Sequence, residues 1–163
     1  MREYLLKMIY IVGIALFGLA LSFAPFISIT PAGGGEVTHT FADLVAGRSP
    51  YLMTGALTGA LAFLPALPLA IALLIPRQTE DNTKLVNVLT IILFITFLLS
   101  VVYPALEAAA ILLGSASITT TDFLVAPTWG TNLVIYLGLG MLIFIGLTMI
   151  PAVRKQITPP VFY

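Results

Sequence analysis

The sequence has no cysteine, one histidine, one tryptophan and very little charge. Without cysteine there are no disulfides, thiolate metal sites, iron–sulfur ligands or cysteine nucleophiles. The redox compartment stays open. One histidine rules out two-histidine haem ligation by this chain alone, and a metal site needs several ligands at matched spacing. Charged residues are 9 % of the 163 positions and apolar residues 60 %, against about 25 % and about half in soluble domains. Such a chain cannot cover a water-facing surface, but it can cover a lipid-facing one. There is no Walker loop, GxSxG elbow, HExxH element or carboxylate cluster. Gly33-Gly34-Gly35 is not a phosphate loop, because no helix with a lysine follows it. The expectation is a protein that is not an enzyme and carries no metal or other cofactor.

What is present is four long apolar runs, near Leu5–Ile29, Tyr51–Ile75, Leu85–Leu113 and Asn132–Val153. A helix needs about 20 apolar residues to cross a bilayer core roughly 30 Å thick, and each run is long enough. Barrel strands would be about 10 residues long and would alternate apolar with polar. These runs do neither. The predicted fold is an all-α integral membrane protein: one domain, 1–163, with four transmembrane helices in an antiparallel bundle. No internal repeat is evident, so the inverted-repeat logic of transporters gains no support.

The seven Lys and Arg are placed unevenly. Arg2 and Lys7 open the first run, Arg77 and Lys84 separate the second from the third, and Arg154 and Lys155 follow the fourth. Only Arg48 falls on the other side. Basic loops stay cytoplasmic, which predicts both termini inside a plasma or inner membrane and outer loops at 30–50 and 114–131. The first run is read as a retained anchor rather than a cleaved leader. Its best small-residue site, Ser22-Phe23-Ala24, is followed by Pro25.

The outer loops carry strand signals. Phe26–Thr30 and Glu36–Phe41 alternate and flank the Pro31–Gly35 turn, which reads as a hairpin. A lone hairpin is marginal in water. Ser117–Val125 in the third loop offers another strand, so a small outer sheet from loops one and three is predicted. Phe41–Gly47 suits a short helix capped by Thr40 or Asp43 and ended by Gly47. The third run, at 1.5 Å per residue, rises roughly 43 Å. It must tilt, kink at Pro104 or project outward.

Close helix packing in lipid favours small residues. The candidates are Gly55 and Gly59 in a GxxxG element, Ala56 and Ala60 at the same spacing, and Gly138, Gly140 and Gly146 in the last run. Pro65 and Pro68 favour a kink in the second run. Trp129, Tyr136, Tyr51, Tyr103 and Tyr4 fall near span ends, as aromatic belts do. The apolar tail Pro159–Tyr163 suits docking on the membrane or a partner.

Glu107 is the sharpest chemical candidate, because an acid in or beside a span is a functional hypothesis by default. Counted from Lys84 it lies roughly 35 Å along the helix, at the outer interface. There an ion pair with Arg48 or contact with water accounts for it. Arg48 has Asp43, Asp122 and Glu107 as candidate partners. His39, beside Glu36 and Asp43, is a weak ligand pattern, and a surface strand position explains it better than a pigment or haem ligand does.

Three functions are weighed. The leading one is a non-catalytic accessory subunit of a larger respiratory, photosynthetic or similar membrane complex, partnered by other integral membrane subunits and lipids. No nucleic-acid partner is expected. The second is a small homo-oligomeric channel or transporter component, which the scarcity of mid-span polar residues disfavours. The third is an adhesion or assembly module. Four spans, internal termini, a β-containing first outer loop and an extended third helix resemble the layout of claudin-like tetraspan proteins. The paired outer-loop cysteines and tryptophan motif of that family are missing, so the resemblance transfers no residue roles.

Overall fold

The computed structural model describes residues 2–46, 60–74, 80–112, 123–150 and 153. Among these described residues three helices are long and apolar enough to cross a membrane, the mark of a multi-pass membrane protein. They are α1 (Arg2–Phe23), α4 (Glu80–Leu112) and α5 (Trp129–Met149). Between α1 and α4 lie the short α2 (Phe41–Val45) and α3 (Ala66–Ala72). α3 is the second half of an apolar helical stretch, Ala60–Ala72. A small sheet adds β1 (Pro25–Pro31), β2 (Val37–Thr40) and β3 (Phe123–Pro127).

The 22 residues of α1 rise about 33 Å, close to the thickness of a bilayer core. α1 stops six residues short of the expected span end, because Pro25 has no N–H to offer the Leu21 carbonyl. The chain enters β1 at once. α4 starts five residues before the expected Leu85, at Glu80. Asp81 lies in its first turn, where negative charge is favoured by the helix dipole. Its 33 residues rise about 50 Å, well beyond a bilayer core. Pro104 lies buried inside it. α5 begins at Trp129, three residues before the expected start. It ends at Met149 because Ile150, which precedes Pro151, is extended (ψ 122°), as a residue before proline prefers.

In the second run, Pro65 stands at the N-cap of α3 and Pro68 in its first turn, where helix N–H groups lack partners in any case. The flanking bonds survive. Leu64 N donates to Ala60 O at 3.1 Å and Leu69 N to Pro65 O at 3.0 Å.

α1 packs on α5 and α3, and α4 packs on the same two helices. The centre is apolar: Ile14, Phe17, Leu93, Phe97, Val134 and Ile145 are fully buried. Phe17 meets Phe97 edge-on at 4.9 Å between ring centroids and Phe63 at 5.8 Å.

Glycine sets the spacing of the α1–α5 and α4–α5 seams. A Cβ on Gly138 would lie 2.6 Å from Val101 Cγ2 and 2.9 Å from Phe17 Cε2. A Cβ on Gly13 would overlap the Met141 sulfur. Gly140, on the other side of α5, meets nothing within 4 Å.

The sheet is antiparallel with order β2-β1-β3, so the expected sheet from loops one and three is present. β1 is its central strand. Ile27 pairs with His39 on one side and Pro127 on the other, and Ile29 with Val37 and Val125. Phe26 through Ile29 are all buried, as befits a strand covered on both faces. The pairing with β2 shifts register between Pro25 and Ile27, and the Phe26 ring packs edge-on against Phe41 at 5.3 Å. Gly33 supplies the positive φ (83°) that the β1–β2 turn requires. Of the third-loop strand expected at 117–125, Phe123–Val125 lie in β3, which runs on to Pro127. Residues 117–122 lie outside the described residues.

Gly138→Val tests the seam. Overpacking typically costs about 1–3 kcal/mol, so the unfolding midpoint in detergent should fall by several degrees, while Gly140→Val leaves it unchanged. Equal midpoints for the two variants would contradict the assigned faces.

Candidate functional site: the small sheet and its junction with the bundle

Where α1 becomes β1, backbone carbonyls lose their helical partners and need others. The start of α5 supplies them. Thr128 Oγ1 donates to the Pro25 carbonyl, and Thr131 Oγ1 donates to the Phe26 carbonyl. Thr128 N also donates to Phe26 O at 3.1 Å. Between these threonines stands Gly130, where a Cβ would collide with the Pro25 carbonyl and lie 3.0 Å from Ala24 Cβ. Thr131 is buried. The sheet is thus bonded to the bundle through two hydroxyls and one amide, with glycine allowing the approach.

α2 braces the sheet from the β2 side. Thr40 is its N-cap and Asp43 its third residue, in a reciprocal capping box. Asp43 N donates to Thr40 Oγ1 at 3.1 Å, and Asp43 Oδ2 accepts from Thr40 N at 3.1 Å and from Thr40 Oγ1 at 2.9 Å. Of the two expected caps, Thr40 is therefore the cap and Asp43 its partner. Phe41 and Leu44 are buried. Gly47 lies outside the described residues, and Ala46 forms the C-cap.

His39 is half-buried on β2, opposite Ile27. Among the described residues no three of His, Asp and Glu come together to hold a metal ion. Glu107 stands in the last two turns of α4, with its side chain outside the described residues. Arg48, Asp122, Gly55, Ala56 and Gly59 also lie outside them. Ala60 is half-buried against the core. Gly138 is buried at the meeting of α1, α4 and α5, whereas Gly140 is exposed on the opposite face of its helix.

Inside the bundle the buried hydroxyls are bonded to backbone carbonyls of their own helices. Thr90 donates to Val86 O, Ser100 to Phe97 O and Thr148 to Ile145 O, each at 2.7 Å. Tyr10 OH and Thr148 Oγ1 also bond across the α1–α5 seam. Lys7, one turn before Tyr10, is only 3 % exposed. The antiparallel register that pairs Gly13 with Met141 and Tyr10 with Thr148 sets Lys7 level with the C-terminal end of α5, the negative end of that helix dipole.

Residue spacing does not reveal the roles of Gly13, Gly130, Thr128, Thr131 and Lys7. Each depends on a neighbour more than 100 positions away along the chain. The one local hint is a Thr-Trp-Gly-Thr start to the last run. Comparison with protein-family models, with curated proteins and with solved structures found no match.

Replacing Thr128 and Thr131 together by valine keeps their shape and removes both hydroxyl donors. At about 0.5–1.5 kcal/mol per bond, the double variant should lose about 1–3 kcal/mol of stability in detergent. Thr96→Val removes a hydroxyl that serves only carbonyls of its own helix, and it should change stability far less. A double variant no weaker than Thr96→Val would contradict the junction.

Proposed function

We propose that this chain is a non-catalytic structural subunit of a larger membrane assembly. It crosses a plasma or inner membrane four times, with the run that contains Ala60–Ala72 as its second span. Both termini face the cytoplasm and the sheet faces outward. The observation that carries this reading is the bundle interior. It is filled by apolar side chains, and its mid-helix hydroxyls are bonded to their own backbone. Among the described residues no polar path crosses the bundle. Work of such a molecule is done at its surface, through helix faces turned to lipid or to neighbouring subunits and through the outer sheet. The distribution of Lys and Arg supports the orientation. The same closed interior speaks against the channel reading.

A second reading is favoured by the sheet. Among the described residues β2 is an edge strand whose Val37 and Thr38 are exposed, and the β1–β2 turn at 32–36 is exposed beside it. A rigid outer platform with an open edge suits an assembly or adhesion module that meets its neighbours outside the bilayer.

Extraction of the native membrane in mild detergent, native separation and mass spectrometry of the co-migrating chains tests the proposal. The subunit reading expects a band well above the size of this chain that contains other integral membrane proteins at fixed ratio. A band holding this polypeptide alone, as monomer or self-oligomer, would contradict it.

A further inference from the structure

The two ends of the bundle differ in charge. Gly13 faces Met141 and Tyr10 bonds Thr148, while Gly138 faces Val101 and Gly146 faces Phe94. α1 and α4 therefore both run antiparallel to α5. Their N-terminal ends and the C-terminal end of α5 lie together, away from the sheet. Arg2, Glu3 and Lys7 belong to the first two turns of α1, and Glu80, Asp81 and Lys84 to those of α4. Arg77 precedes α4 by three residues, and Arg154 and Lys155 come within five residues of Ile150. A chain reach of at most about 18 Å keeps these three at the same end. Six bases against three acids give this end a formal charge of +3. Arg48 against Glu36, Asp43, Glu107 and Asp122, in or next to the sheet, α2 and the far end of α4, gives −3.

The outward faces of α1 and α4 are built alike below that charged end. On α4 the exposed Lys84 is followed, at steps of four, three and four, by exposed Val88, Ile91 and Ile95. On α1 the Arg2 position is followed, at steps of three, four and three, by exposed Leu5, Ile9 and Val12. The rise from Lys84 to Ile95 is about 16 Å. One leaflet of hydrocarbon, half of a bilayer core, is roughly 15 Å deep.

We infer that this end of the bundle selectively binds anionic phospholipid, its bases taking the phosphate headgroup and the apolar stripes taking the acyl chains. A cation at the head of a leaflet-long apolar stripe matches a phospholipid in chemistry and in length. Two helices repeat the stripe, as contact with a lipid layer requires and as a single docked helix does not. The Lys84 ammonium has three donors, so a bond within the chain leaves others for phosphate. Lys7, only 3 % exposed, is turned into the bundle and takes no part. The excess of positive charge favours an anionic headgroup over a zwitterionic one, since about four to eight bases beside a span hold anionic lipid. The inference rests on membrane placement and is independent of the accessory-subunit reading.

The full chain in mild detergent, equilibrated with equal amounts of phosphatidylglycerol and phosphatidylcholine, tests it when the retained lipids are quantified by mass spectrometry. Phosphatidylglycerol should be retained over phosphatidylcholine by about tenfold or more. Arg2→Gln with Lys84→Gln should bring the ratio close to one, whereas Arg2→Lys with Lys84→Arg should keep it. Raising the salt on the unaltered chain should also erase the preference, a readout that needs no variant to fold. Retention is measured on this chain alone, so it stands or fails whichever subunits accompany the protein in its membrane. The inference is overturned if the two lipids are retained equally, if the glutamine variant or high salt leaves the ratio intact, or if glycerol phosphate displaces the lipid at equal concentration, which would mark a site for free phosphate.

Discussion

A chain leaving a helix at a membrane surface must find new partners for its backbone, and here that happens between Phe23 and Ile27. In hydrocarbon an unsatisfied carbonyl costs several kcal/mol, and Pro25 guarantees that the helical ladder cannot continue. Thr128 and Thr131 answer the Pro25 and Phe26 carbonyls from the start of α5. The arrangement works only if the two segments nearly touch, which is why glycine stands at 130. This junction sets the end of α1 and the start of α5 against each other. It positions β1 as the central strand and so provides the edges on which β2 and β3 form.

The register established there runs down the whole α1–α5 seam. Pro25 beside Gly130, Phe17 beside Gly138, Gly13 beside Met141 and Tyr10 beside Thr148 are successive contacts of one antiparallel pair. Lipid tails are as apolar as leucine, so burial against lipid gives helices little reason to associate. Close packing and interhelical hydrogen bonds must do it. Gly13 and Gly138, each facing a bulky side chain, permit that packing. The Tyr10–Thr148 bond and the buried Lys7 close its far end beside the α5 C-terminus. Among the described residues an apolar interior follows, and with it the reading of a molecule that acts through its outer surfaces.

Much of this architecture was legible in the chain. Run lengths and charge scarcity foretold the long helices. Alternation around Gly33-Gly34-Gly35 foretold β1 and β2, and the β-branched third loop foretold a third strand. Local chemistry offered Thr40 and Asp43 as alternative caps, and the structure joins the two in one capping box. What failed to show was what depends on distant neighbours. Gly138 and Gly140 are two residues apart in sequence and look alike, yet one faces Val101 and Phe17 while the other faces away from the bundle, because two residues turn a helix about 200° at 3.6 per turn. The end of α1 was expected at Ile29, because Phe26–Ile29 are as apolar as the helix before them. Their burial comes from a sheet covered on both faces, which a hydropathy reading cannot tell from a span.

The central claim is that the three-stranded sheet is held as one rigid body with the helix bundle. Hydrogen–deuterium exchange of the chain in lipid nanodiscs tests it most directly. The account predicts that amides of Ile27, Ile29 and Ala126, which point into the ladders of β1, exchange as slowly as those at the ends of α1 and α5, while the Gly33–Glu36 turn exchanges freely. Exchange of the β1 amides as fast as the turn would show that the junction does not hold, and the account would fail.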